Sequence, residues 1–406
     1  MSNVVFVAPF SMAATLRFIR AVTKLPGVRL GLVTQDPVEA LPDWLREALS
    51  AHWRVANALD AEHLQNGVRG IGGVLGGVDR LIGTLEQLQV PLAQVREALG
   101  IDGMGIEAAE NFRDKARMKS VLRAAGVPCA HHCLARTAEE ARAFVERVGL
   151  PVVVKPPAGA GAKATFRLSD RDSLERFLRS YAPPAGREML FEEFVRGEEK
   201  SFDTVSVRGR HAWHSISHYT PSPLEVLENP WIQWCVLLPR EVDHPRNDDI
   251  REVGRKALTA LGMGTGVTHM EWFRRADGSL AISEVAARPP GAQFCTLISY
   301  AHDIDFYLAW ARLAVHGVFE IPERRYAAGA AYLRGQGRGR VRAIHGLDEI
   351  RRELGPLIVE TKLPPVGQAP TGTYEGEGYL LVRHESTAVV ERALKRIVST
   401  IRIELA

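Results

Sequence analysis

The chain has 406 residues, 46% of them hydrophobic and 24% charged, which is enough for about two to four globular units with ample core. A formal net charge of +3 is close to neutral for this size and gives no bulk electrostatic case for a nucleic-acid or membrane partner. The opening run VVFVAPF is too short for a signal peptide and lacks its basic flank, and no stretch is long enough to span a bilayer, so the sequence reads as that of a cytoplasmic protein.

Residues 1 to about 110 alternate apolar runs with helical patterns: NVVFVAPF, an amphipathic stretch through Leu25, VRLGLVT, then VDRLIGTLEQ and PLAQVREALG. This β-α-β rhythm predicts an open parallel sheet. Gly70, Gly72, Gly73, Gly76 and Gly77 neither follow the first strand nor open a helix at dinucleotide-binding spacing. They predict a tightly turned or mobile segment. Asn111 is placed as the N-cap of a helix over FRDKARMKSVLRAAG, with Asp114 three positions on. Lys115 and Lys119 then share one helical face.

The cluster Cys129, His131, His132 and Cys133 falls on one predicted strand after AAGVP. Alternation projects 129, 131 and 133 to one side and 132 to the other, and four ligands on one strand cannot surround a tetrahedral zinc. The cluster therefore reads as strand packing, and four cysteines in all are too few for a disulfide framework.

Three valines in PVVVK make a buried strand that delivers Lys155 at its edge, ahead of a turn where Gly159, Gly161 and Ala162 allow close backbone approach. Backbone N–H groups of such a turn can cradle phosphates while the lysine supplies a point charge. The lysine precedes the glycines and no G-K-[ST] follows, so this is not a Walker loop. EMLFEEFVRGEEKSFDTVSV then places two strands around a break at Gly197, with Glu192, Glu193 and Glu199 where pure core would carry no charge. Carboxylates and open backbone at a strand-to-loop hinge can read an adenine edge and a ribose.

In VTHMEWFRRADGSLAISEVAARPPG, Asp277-Gly278 between two apolar runs reads as a two-residue hairpin loop, with Ala276 paired to Ser279. Counting outward sets Glu271 opposite Glu284 and His269 opposite Ala286. Facing carboxylates lie roughly 5 Å apart at Cβ and repel unless neutralised. Oxygen ligands on a rigid ladder suit magnesium with substrate phosphates. The Pro- and Trp-rich stretch 218–240, between hinge and hairpin, either walls a substrate pocket or packs as an insertion, and Trp231 and Trp234 stand at helical spacing in it. RGQGRGR at 334–340 is expected to be a mobile loop near the site, with Arg338 and Arg340 contacting a carboxylate.

Taken in order, NFRDKARMK, PVVVKPPAGAGA, FEEFVRGEEKSFD, THMEWF and SEVAARPPG resemble the successive nucleotide elements of the ATP-grasp superfamily, over about 111–291. The resemblance implies an α/β chain with the ATP-grasp fold, two α+β subdomains clasping ATP. It sets an N-terminal Rossmann-like α/β domain at 1–110, the ATP-grasp domain at 111–315 with a mobile lid at about 125–190, and a C-terminal α+β domain at 316–406. That last region is similar to the biotin-carboxylase-like branch. The implied cofactors are ATP and magnesium, for which manganese can substitute.

By the same resemblance, Lys115 and Lys155 contact phosphates, with Gly159, Gly161 and Ala162 as the loop over them. Glu192, Glu193 and Val195 match the adenine hinge, Glu199 the ribose-binding glutamate, and Glu271 and Glu284 the metal ligands. Arg288 matches an arginine that stabilises the acyl-phosphate. Ala286 departs from a frequent asparagine, which removes one oxygen ligand from a second magnesium site. His269 lies in G-V-T-H-M-E, which resembles the branch of L-amino-acid ligases and carnosine-synthase-type enzymes, and it joins the catalytic set. The implied reaction joins a small carboxylate to an amine through an acyl-phosphate, converting ATP to ADP, and a homodimer is compatible with it. A biotin-dependent carboxylase using bicarbonate shares the nucleotide residues, but no A-M-K-M-type stretch occurs here. A nonenzymatic ATP-binding module would not need Arg288.

Overall fold

The computed structural model of the chain describes residues 1–159, 164–181, 188–229 and 231–406. It opens with four parallel strands, β1 (Ser2–Val7), β2 (Val28–Thr34), β3 (Ala51–Arg54) and β4 (Arg80–Ile82), in the spatial order β3-β2-β1-β4. Val4, Phe6, Leu30 and Leu32 pack to one side with Phe18 and Val22, while Val5, Val7 and Val33 pack to the other with Leu64, Val68 and Ile71. Both faces are covered, which is why these strands read as unbroken apolar runs. The strand order reverses between β1 and β4, and this leaves a crevice beyond their carboxyl ends.

Two local expectations are corrected here. Gly70, Gly72 and Gly73 lie inside the helix Ala61–Leu75, not in a turn. A Cβ on Gly70 would sit 2.3 Å from the Trp53 ring, so the missing side chain lets the helix lie on that ring. Only Gly76, at φ +78°, ends the helix. Asn111 is not an N-cap but is buried near the end of the helix Ile106–Arg113. Asp114 breaks the chain there and caps the next helix, Lys115–Ala124, by accepting from the N–H groups of Ala116 and Arg117.

A second sheet, order β5-β8-β6-β7, is built antiparallel from β5 (His132–Ala135), β6 (Val152–Lys155), β7 (Phe166–Leu168) and β8 (Met189–Glu193). Phe144 and Phe177, from the helices Ala138–Val148 and Arg171–Tyr181, pack with Phe191 on one face of it. Within the Cys/His cluster only His132 and Cys133 belong to the strand, and Cys129 bridges across to Ile282 instead.

The largest sheet has eight strands. Its elements are β9 (Glu198–Val207), β10 (Arg210–Thr220), β11 (Trp234–Leu238), β12 (Gly266–Arg274), β13 (Leu280–Ala286) and β14 (Ala327–Leu333). After β15 (Gly335–Gly337) and β16 (Val341–His345) come β17 (Ile358–Lys362) and β18 (Gly378–His384), which complete it in the order β13-β12-β9-β10-β11-β14-β18-β17. The last strand, β19 (Arg402–Leu405), joins β15 and β16 in a sheet of three. The RGQGRGR segment therefore forms part of a sheet: the Arg340 backbone exchanges hydrogen bonds with Ala406 at 3.1 and 3.0 Å. Its Arg334 is buried and donates to the carbonyls of Val226, Asn229 and Ile232. Trp231 is exposed while Trp234 is buried on β11, so their spacing is not helical. No helix among the described residues is long and apolar enough to cross a membrane.

The β12–β13 hairpin pairs Glu271 with Glu284 and His269 with Ala286 as counted, but by a different route. Arg275, not Ala276, bonds to Ser279, around a three-residue loop with Gly278 at φ +83°. A bulge at Ser283 then adds one residue to β13 and restores the count. The bulge settles a conflict between two demands on the strand. Leu280, Ile282 and Val285 must join Trp272 and Met270 in the core, whereas Ser283 and Glu284 both line the cavity.

Candidate active site

A cavity of about 400 Å³ lies where the second sheet, the eight-stranded sheet and the N-terminal crevice converge, a volume typical of small-molecule sites. Alternation along β9 points Glu199, Ser201 and Asp203 to one face, opposite Phe273, Glu271 and His269 of β12. Glu192 and Val153 pair across β8 and β6, with Lys155 two positions on.

These elements gather an unusual density of buried charge. Lys115 Nζ lies 2.8 Å from Glu284 and 3.0 Å from the Gly159 carbonyl. Glu192 stands between Lys119, at 3.3 Å, and Lys155, at 3.1 Å, and Lys119 also donates to the Ser283 carbonyl at 2.7 Å. Burial works against the Glu284 carboxylate, but Lys115 and Lys155 hold its pKa well below the ordinary range. Burial likewise opposes Glu192, and Lys119 and Lys155 bring it down. Glu199 goes the other way: burial first and then Glu271 push its pKa up, and Lys155 opposes them without reversing the shift, to which Glu284 adds. The wall is therefore rich in carboxylates, one of which leans toward its neutral form.

His269 donates from Nδ1 to Asp203, 2.5 Å away, while its Nε2 lies 3.7 Å from Glu271. Burial disfavours the imidazolium, but Asp203 and Glu271 overcome this and raise the pKa to about 9. Asp203 is fully buried and also accepts from Ser201. Arg288 donates from Nε to Glu86 at 2.8 Å and from Nη1 to the Pro289 carbonyl at 2.9 Å. Glu86 belongs to the N-terminal region and also faces Arg113 at 3.9 Å, and Arg113 in turn holds the carbonyls of Ala158 and Gly159.

Most of the residues singled out from sequence meet at this cavity: Lys115, Lys155, Gly159, Glu192, Glu193, Val195, Glu199, His269, Glu271, Glu284 and Arg288 all line it. Glu193 is tied to Arg275 at 2.5 Å. Gly161 and Ala162 lie outside the described residues. At Gly159 it is the carbonyl, engaged by Lys115 and Arg113, that is in use. Arg338 and Arg340 do not line the cavity. Sequence reading missed Asp203, Lys119 and Glu86 as site members. Asp203 was accessible, since it stands four positions beyond Glu199 on one strand face. Glu86 was not, because nothing local pairs it with Arg288, 202 positions away.

The sheets, the hairpin and the lysine pair define an ATP-grasp fold. Residues 120–302 match the family described as the ATP-grasp domain. The L-arginine-specific L-amino acid ligase of Bacillus subtilis is 27% identical over 250 residues, which cover 60% of this chain and 59% of that protein. Alanine–anticapsin ligase of Bacillus subtilis strain 168 is 27% identical over 250 residues, 56% of this chain and 52% of that protein. The chain thus spans between half and three-fifths of the length of these two relatives. The crystal structure of L-amino acid ligase from Bacillus licheniformis superposes with a TM-score of 0.79 at 21% identity, over 100% of this chain and 99% of that one, a likeness of fold.

Proposed function

We propose that this chain is an ATP-dependent carboxylate–amine ligase that forms an amide or peptide bond between small substrates, amino acids among them, through an acyl-phosphate, with release of ADP and phosphate. One observation carries the reading: Glu271 and Glu284, Lys115 and Lys155, and Arg288 all converge on one cavity. The facing carboxylates, with Glu199 pushed toward its neutral form beside them, fit a hard divalent cation. Magnesium or manganese would be held by Glu271 and Glu284 and would act as a Lewis acid on phosphate oxygens.

The chain's own residues divide the remaining work. Lys115 and Lys155 neutralise charge on the phosphates and, without nucleotide, are held ready by Glu284 and Glu192. The Glu192 carboxylate is occupied by Lys119 and Lys155, so the adenine edge falls to the strand end from Glu193 to Val195 and the ribose to Glu199. Arg288, oriented by Glu86 and Pro289, keeps Nη2 without a protein acceptor among the described residues, and offers it to the carboxylate and then the acyl-phosphate. His269, fixed by Asp203, adds a second cation beside Glu271.

Millimolar Mg-ATP is expected to raise Tm by several degrees, since a ligand at a hundredfold its Kd stabilises by about 2.7 kcal/mol. The absence of any shift by differential scanning fluorimetry would count against the nucleotide site. ADP release measured over pairs of amino acids, and separately with bicarbonate plus free biotin, distinguishes ligase from carboxylase. Release with neither would sink the enzymatic reading.

A further inference from the structure

Among the described residues, Tyr374 is the one that the region 316–406 puts into the wall of the cavity. It stands on the turn between β17 and β18, and the ligase reading has so far given it no work. We propose that Tyr374 is a catalytic residue, whose hydroxyl donates alongside Arg288 to the acyl oxygen that gathers negative charge as the amine attacks. The inference rests on the ligase reading and adds to it a reacting group from the C-terminal region.

The turn is built to hold the ring in place. Glu377 is buried, and one of its carboxylate oxygens accepts from the Thr371 N–H at 3.1 Å while the other accepts from the Gly335 N–H. Its own N–H donates to the Leu333 carbonyl at 2.9 Å, which pins the turn to the end of β14. The Thr371 hydroxyl closes the turn on the Gly376 carbonyl at 2.9 Å. Gly376 has φ +64°, and a Cβ there would meet the Leu333 carbonyl oxygen at 2.4 Å, so a side chain does not fit. The Tyr374 ring then stands edge-on to Trp234, with centroids 4.9 Å apart and planes at 78°.

Packing accounts for the ring but not for the hydroxyl. Neighbouring phenols are paired within the protein: Tyr332 donates to the Ala292 carbonyl, Tyr307 is bonded to Thr296 at 2.9 Å, and Tyr379 donates to Glu360 at 2.7 Å. The Tyr374 hydroxyl has no such partner among the described residues, and it lies in the field of Glu271 and of Arg288, whose own charge it affects in return. Burial first, then Glu375 and Glu271, push its pKa up to about 12 against the pull of Arg288. At neutral pH the phenol therefore keeps its proton and acts as a donor.

The reaction needs a donor at that place. When the amine attacks the acyl-phosphate, its lone pair forms the C–N bond and the carbonyl π pair moves onto the oxygen. The C=O bond then re-forms as the C–O bond to phosphate breaks, phosphate leaves with that pair, and the surplus proton of the nitrogen passes to it. Charge on the acyl oxygen is greatest between these two events, and a donor fixed there in advance stabilises it without rearrangement. A phenol supplies the hydrogen bond without adding a charge to a wall that already carries Glu271, Glu284 and Arg288.

The test begins by finding a productive pair among the proteinogenic L-amino acids through ADP release. Tyr374→Phe keeps the ring on Trp234 and removes only the hydroxyl. It is expected to slow amide formation in a single turnover by about tenfold to a hundredfold, as loss of a hydrogen bond to a charged group implies, and to leave Tm and the Kd for Mg-ATP unchanged. Combined with Arg288→Lys it should cost less than the product of the two single losses, because both groups serve one oxygen. Wild-type rates of amide formation in Tyr374→Phe, a loss confined to Mg-ATP binding, or single losses that simply multiply overturn the assignment while the ligase stands. No ADP release by the wild type from any pair overturns the ligase reading and the assignment with it.

Discussion

Replacing Glu284 by glutamine is expected to reduce ADP release by on the order of a thousandfold in a chain that still folds. A neutral amide cannot balance a divalent cation, and the charge stabilisation such an ion gives a transferring phosphoryl group is several kcal/mol, at about 1.4 kcal/mol per tenfold in rate. Two facing carboxylates considered alone would be relieved by the change. Lys115, 2.8 Å from Glu284 and itself buried, reverses that sign. It loses its counter-ion and keeps only the Gly159 carbonyl, so a loss of about 1 to 3 kcal/mol is expected, read as a lower Tm. Glu271→Gln should cost nearly as much turnover with less loss of stability, because its ion-pair partner among the described residues is His269 at 3.7 Å and not a lysine. Near wild-type ADP release by either variant at saturating magnesium would remove the hairpin carboxylates from the site.

Arg288→Ala should lower turnover by a few hundredfold, about 3 to 4 kcal/mol, and weaken ATP binding far less. An interaction made chiefly in the transition state lowers kcat and kcat/KM together, whereas uniform binding appears mainly in KM. The guanidinium is held by two fixed acceptors, Glu86 at Nε and Pro289 at Nη1, so it meets substrate already oriented. Lysine should rescue poorly, since one ammonium cannot keep both anchors and present a planar fork. The alanine variant also leaves Glu86 buried with only Arg113 at 3.9 Å, so its Tm should fall. Calorimetry with ATP alongside single-turnover ADP release checks the division. Full activity, or a loss confined to nucleotide affinity, would make Arg288 a structural residue.

Local signals carried much of the site. PVVVK reads as a buried strand ending in Lys155 because β-branched residues flanked by proline leave few alternatives, and β6 runs Val152–Lys155. VRLGLVT became β2 over the same residues for the same reason. What failed was decided by partners remote in sequence. The glycines at 70 to 73 invite a turn until Trp53 is seen against the helix. RGQGRGR reads as a loose basic tract, yet its backbone pairs with the last strand. Glu192 reads as a hinge residue, but its charge is set by two lysines from different elements. Sequence spacing also cannot reveal a bulge, which is why the right facing of Glu271 and Glu284 came with the wrong loop.

The extra residue at position 283 has a consequence for how this segment can vary over evolutionary time. In a regular strand a lost or gained residue inverts everything beyond it, so indels are purged. Here Ser283 and Glu284 stand on the same side, and the ladder resumes its alternation at Val285. A lineage that dropped Ser283 would inherit an uninterrupted ladder with the glutamate still across from Glu271, and would lose only the carbonyl that receives Lys119. The hairpin is thus tolerant of a one-residue frame change at the place where its chemistry is least tolerant of substitution. Relatives aligned through this strand can differ in length there without differing in the carboxylate pair.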